Sequence, residues 1–162
     1  MARWQEFEQD DPETAAAAKK LLFQFNIGLG YLATNGTGGF PRLHPFCPTY
    51  SEGGLYAFVI DSPKRRDLLR DGRCAIHAFS SPDVDDEFFA QAVARRNDDR
   101  EAFNRAKAAY LAMGATSGED EILFEFDLRR CLVATYGPRP SWPPVYRKWA
   151  AAEPPVPETT PR

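Results

Sequence analysis

Lys64, Arg65 and Arg66 crowd the opening of a segment that begins Ser62-Pro63 and closes at Asp71-Gly72. Ser62 suits a helix cap and Pro63 the first helical position, with Asp71-Gly72 as the exit after about two turns. The three cations therefore fall where a helix exposes unpaired N–H donors and the positive end of its dipole. Cations are disfavoured there, and a bound anion resolves the conflict; helix starts take phosphate readily. A second cationic element is Arg42-Leu43-His44-Pro45-Phe46-Cys47. Read as a strand, it places Arg42, His44 and Phe46 on one face, so a guanidinium and an imidazole point at one region. A guanidinium grips phosphate through paired hydrogen bonds, and histidine titrates near neutral pH and can move a proton. The competing explanations are structural: Asp61, Asp67 and Asp71 can neutralise the cations in surface pairs worth about 0–1 kcal/mol each, and Ser62 can act as a cap alone.

Other chemistry finds less support. His44 and Cys47 have an H-x-x-C spacing that could supply two zinc ligands, but no second pair completes a tetrahedral site. Gly28 and Gly30 follow a helix and precede a strand, the reverse of the dinucleotide-binding order. His77 sits between Ile76 and Ala78 with no catalytic partner nearby in sequence and is assigned to structure. No Ser-His-Asp set or carboxylate pair can be read from the chain.

The elements that would position these residues follow from periodicity and punctuation. Asp11 caps a helix with Pro12 at its first position, predicted to run to about Asn26, with Ala18, Leu21, Leu22 and Phe25 at helical spacing and Gly28 as the stop. Residues 31–34 and 40–44 form a hairpin about the turn Asn35-Gly36-Thr37-Gly38-Gly39, and a turn at residues 51–54 leads to a third strand over 55–60. Three consecutive antiparallel strands are expected there. Residues 73–79 and 87–94 read as strands, and residues 99–113 as a long helix ended by Gly114. Two further strands, 121–127 and 131–136, are expected to meet at a turn over Leu128-Arg129-Arg130. Trp142, Tyr146 and Trp149 are too many large aromatics for a free segment, so the chain up to Trp149 should dock on the body or on a partner subunit. Residues 1–149 thus read as one domain and the Pro-rich stretch 150–162 as a disordered tail.

The 162 residues are enough for a core without disulfide staples, and the formal net charge is −3. That balance argues against nucleic-acid binding, which relies on clustered Lys and Arg. Apolar runs fall short of the roughly 20 residues that cross a bilayer, and the N-terminus lacks a signal-peptide core, so a cytoplasmic protein with no membrane association is expected. Cys47, Cys74 and Cys131 are odd in number and widely spaced, which agrees with a reducing compartment.

From about Phe7 to Trp149, the order of these elements resembles the pyridoxamine 5′-phosphate oxidase-like superfamily of flavin-binding split barrels. The likeness rests on Tyr31-Leu32-Ala33-Thr34, Pro41-Arg42-Leu43-His44-Pro45, Gly54-Leu55-Tyr56-Ala57-Phe58, Ser62-Pro63-Lys64 and the run Asp67-Leu68-Leu69-Arg70-Asp71-Gly72-Arg73. It implies a mainly β fold with flanking helices, an antiparallel Greek-key-like split barrel of six or seven strands, and a homodimer with the cofactor at the subunit interface. It further implies that Arg42 and Lys64 hold the phosphate of FMN and that Leu43, His44, Pro45, Phe46, Cys47, Ala57 and Phe58 border the ring. Ser62 and Arg65 would assist at the helix start, with His44 as the candidate catalytic group. The family's second phosphate-binding arginine is replaced by Pro63, and a lysine near the end of the Arg42 strand by Cys47. Vitamin B6 oxidation is therefore not expected; FMN-dependent redox chemistry on a small organic molecule is. The alternatives are a reductase using the deazaflavin coenzyme, or a non-catalytic flavin- or haem-binding protein.

Overall fold

The computed structural model describes residues 2–152. The tail expected beyond residue 150 falls mostly on residues 153–162, which lie outside that range. In chain order the elements are α1 (Trp4–Asp10), α2 (Pro12–Leu22), β1 (Gly30–Asn35), β2 (Pro41–Phe46), β3 (Thr49–Ser51), β4 (Gly54–Val59), α3 (Pro63–Arg70), β5 (Arg73–Ala78), β6 (Glu87–Arg96), α4 (Arg100–Ala112), β7 (Ile122–Thr135) and β8 (Val145–Ala150).

The strands form one antiparallel sheet in the order β2-β1-β5-β6-β7-β4-β3, with β8 on the flank of β7 that β4 leaves open. The sheet curls into a half-barrel around buried Leu32, Ile76, Phe88, Phe124, Phe126 and Val133, each at most 1 % exposed. The α1 and α2 helices plug its interior with Trp4, Phe7, Ala15, Ala18 and Leu22. Burying these side chains is the main stabilising term, at roughly 1.5–3 kcal/mol for each large aliphatic or Phe residue.

Caps form as local chemistry dictates. The Asp11 carboxylate accepts from the Thr14 N–H at 3.1 Å, the Asp99 carboxylate from Glu101 and Ala102, and the Ser62 hydroxyl from the Arg65 N–H at 3.3 Å.

Several expectations are corrected by the structure. The α2 helix stops at Leu22 rather than near Asn26, because Phe23 leaves helical geometry and Asn26 turns left-handed at φ 59°. Gly28 is needed for a close approach instead: a Cβ there would meet the Pro48 carbonyl oxygen at 2.1 Å. The short α1 was not foreseen. The three consecutive strands do not form one ladder, since β2 pairs β1, whereas β4 pairs β3 and β7. The expected turn at residues 128–130 is a bulge inside a single 14-residue strand, β7. There Gln91 faces Arg130 and Ala92 faces Leu128, so Arg129 is the extra residue and the pairing with β6 continues. Among the described residues the sheet has eight strands rather than six or seven. Of the three late aromatics only Trp149 is buried; Trp142 and Tyr146 are 77 % and 50 % exposed.

Candidate functional site

The sheet path begins at β2 and ends at β4-β3, and these two ends bound the split. β2 has a partner on only one side. On β4, pairing with β3 stops at Tyr56, which leaves Ala57, Phe58 and Val59 with a lateral edge unpaired by β3. The α3 helix starts just after β4, and its Lys64 Nζ donates to the Pro45 carbonyl on β2 at 2.8 Å. Lys64 therefore links the two ends of the sheet.

Beside that link lies a chain of polar contacts. The Thr34 hydroxyl donates to Asp67 Oδ2 at 2.9 Å and lies 3.2 Å from His44 Nε2. Because the hydroxyl proton is committed to Asp67, the network assigns the His44 proton to Nε2, leaving Nδ1 as an acceptor. Asp67 is only 2 % exposed, and Arg70 Nη2 reaches its Oδ1 at 3.2 Å. Arg42 Nε stands 3.7 Å from Asp67 Oδ2, a charge contact too long for a hydrogen bond. Half-exposed Arg42 thus keeps its guanidinium edge available.

The electrostatics follow this arrangement. Burial pushes the His44 pKa down, the charges of Lys64 and Arg42 push it further, and Asp67 opposes them. Burial likewise lowers Lys64 and raises the Cys47 thiol, each partly offset by the other. Asp67 is raised by burial, but the hydrogen bonds of Thr34 and Arg70 and the charges of Arg42 and Arg70 outweigh that, and the net direction is down. A buried carboxylate held ionised in this way anchors cations around a neutral imidazole.

The structure links Arg42 and His44 through Asp67 and Thr34 and sets Lys64 on the adjacent Pro45 carbonyl, with the β2 strand at one end of the sheet path and the Ala57–Phe58 edge of β4 at the other. Ala57 is buried, and the Phe58 ring packs on Phe103 and Tyr110 at centroid distances of 5.1 and 5.3 Å, so both would meet a ligand through backbone. Arg65 is engaged with Asp120 and Asp61 at 3.0 and 3.3 Å, and the Ser62 hydroxyl caps α3 and donates to the Ile60 carbonyl at 3.1 Å. These two residues hold the helix start in place. Arg66 pairs with Asp61 on the surface. His77 is elsewhere, 3.9 Å from Glu87.

Sequence reading missed Thr34, Asp67 and Arg70. One signal was present for Thr34: it occupies the inward phase set by Gly30 and Leu32, a polar residue where alternation calls for an apolar one. Nothing local marks Asp67, whose importance comes from being buried beneath β1 and β2.

The donor set suits a phosphate monoester. Arg42 offers an open guanidinium edge, Lys64 retains donors beyond its bond to Pro45, and the unpaired edge of β4 offers backbone groups to a flat ring.

No protein-family model matches the chain, and no curated protein matches it in sequence. Solved structures do match in fold. A NimC/NimA family protein from Clostridium acetobutylicum superposes with TM-score 0.62 at 18 % identity, over 88 % of this chain and 93 % of that one. A heme binding protein from Mycobacterium smegmatis gives TM-score 0.62 at 22 % identity over 83 % of this chain, which spans 57 % of that protein's length. A protein described as a candidate pyridoxamine 5′-phosphate oxidase from Listeria innocua gives TM-score 0.58 at 16 % identity, over 73 % of this chain and 95 % of that one.

Proposed function

We propose that this chain, a split barrel of the pyridoxamine 5′-phosphate oxidase-like fold, binds FMN at the Arg42–Lys64 site and serves as an oxidoreductase for a small organic molecule. The observation that carries the reading is that Arg42 and His44 of β2 are both tied to the buried Asp67–Thr34 pair while Lys64 of α3 bonds the neighbouring Pro45 carbonyl, next to an open strand edge. Bound flavin would supply hydride transfer. Arg42 and Lys64 would hold its phosphate, and the backbone of Leu43–Cys47 and of Ala57 and Phe58 would fix the ring plane. His44 can take a proton at Nδ1 while Thr34 and Asp67 hold its Nε2–H in position.

The same site is proposed to be completed by a second copy of the chain. Exposed Tyr31, Leu43, Val145 and Trp142 are large apolar side chains that a subunit contact would cover. A cytoplasmic setting is part of this proposal, supported by three cysteines that are free of disulfides.

Haem binding is the second reading, favoured by the likeness to the mycobacterial heme binding protein. The absorbance spectrum of the purified protein distinguishes these cases. A yellow sample that bleaches on anaerobic reduction supports the FMN reading. A Soret band, or a colourless protein that takes up only the deazaflavin coenzyme, overturns it. Arg42→Ala should weaken FMN binding by about 1.5–3 kcal/mol, the scale of a hydrogen bond to a charged group, as measured by quenching of flavin fluorescence. Unchanged affinity would remove Arg42 from the site.

A further inference from the structure

A trough of about 800 Å³ crosses the sheet from β2 to β8. Its floor follows one lateral row of paired residues: Ala33 faces Ala75, Ala75 faces Gln91, Gln91 faces Arg130, and Arg130 faces Ala150. Residues paired this way share one face of the sheet. The methyl side chains of Ala33 and Ala75 make the floor low and flat, and the Gln91 amide stands in its middle.

The walls are cationic. Arg73 edges one side, and Arg129 and Arg130 the other. Their direction is set by the β7 bulge: strict alternation would turn one of two consecutive residues into the core, whereas the extra residue leaves both exposed between buried Leu128 and Cys131. Arg73 is tied to Asp71 at 2.8 and 2.9 Å, but neither Arg129 nor Arg130 forms an ion pair with any described residue. No Asp or Glu lines the trough. In a chain of net charge −3, a cavity lined by the uncompensated guanidiniums of Arg129 and Arg130 and by no carboxylate is a local inversion of charge.

We propose that this trough is a second binding site, separate from the split, for a flat organic anion: a planar apolar body on the alanine floor, with a carboxylate, sulfonate or phosphate gripped by Arg129 and Arg130. Guanidiniums suit such groups because their planar fork matches two oxygens at once, and a floor of small residues admits a ring that larger side chains would exclude. The site does not depend on flavin binding at Arg42 and Lys64.

The test uses two fluorescent dyes of similar shape, the anionic 8-anilinonaphthalene-1-sulfonate and the neutral N-phenyl-1-naphthylamine. The parent chain should bind one sulfonate dye per chain at the trough. The double variant Arg129→Gln, Arg130→Gln should weaken the sulfonate dye at least tenfold while leaving the neutral dye within twofold. Ala75→Trp, which fills the floor, should exclude both, and Arg42→Gln should alter neither. The proposal is overturned if the double variant binds the sulfonate dye as the parent does, or if Arg42→Gln abolishes binding, which would place the dye in the split. It is also overturned if the double variant loses dye binding together with a change of mass by light scattering, which would assign the arginines to subunit contact.

Discussion

At the scale of single residues, the site is organised by a carboxylate that no ligand would touch. Asp67 lies buried beneath Arg42, Arg70 and Thr34, and through Thr34 it fixes which nitrogen of His44 carries the proton. His44 is held below its ordinary pKa, chiefly by burial and then by the charge of Lys64, so the unfolded chain takes up a proton near pH 6.5 before the folded one does. Stability contributed by the neutral ring is therefore fully present above that pH and is lost as pH falls through it, until the folded ring protonates as well. Urea midpoints measured from pH 7.5 to 5 should fall less steeply in His44→Gln than in the parent. Identical slopes would show that His44 is not held neutral by its surroundings. Ser62, Pro63 and Lys64 were readable in advance because caps and helix starts are local chemistry. Asp67 was not, because residues 33 and 25 positions away in sequence, Thr34 and Arg42, give it its role.

At the scale of elements, the strands and helices were legible wherever one period dominated, as in β1, β5 and α4. β7 was misread because Arg129 and Arg130 interrupt its alternation, and two consecutive polar residues in sequence look alike whether they make a turn or a bulge. The ladder to β6 decides for the bulge, since pairing resumes on both sides of it. β8 shows how an edge strand can secure a distant helix. Trp149 packs on Phe7 of α1 at a centroid distance of 4.8 Å, and its indole N–H donates to Asp10 Oδ2 at 3.2 Å. Trp149→Ala should cost about 3–5 kcal/mol in urea denaturation, the range for truncating a buried large aromatic. A loss below about 1 kcal/mol would mean that β8 rests on the body without bracing it.

At the scale of the whole molecule, the sheet order was the least accessible property. β4 pairs with β7 across more than 60 residues of chain, and no local pattern announces that partnership. The exposed Tyr31, Leu43, Val145 and Trp142 belong to this scale too, because a single copy leaves them facing water. Light scattering should give twice the chain mass at micromolar concentration; a monomer would leave the proposed site built from one chain alone.

β2 is both the terminal strand of the sheet and the carrier of Arg42 and His44, and it includes Pro41 and Pro45. A bare outer strand is a template on which another polypeptide can add by backbone pairing, the first step toward fibres. Proline has no amide hydrogen to offer such an intruder and resists the flat geometry that stacking demands. The same two rings that make β2 an irregular strand thus keep its margin clear, so that what settles there is selected by charge and shape and not by main-chain zippering.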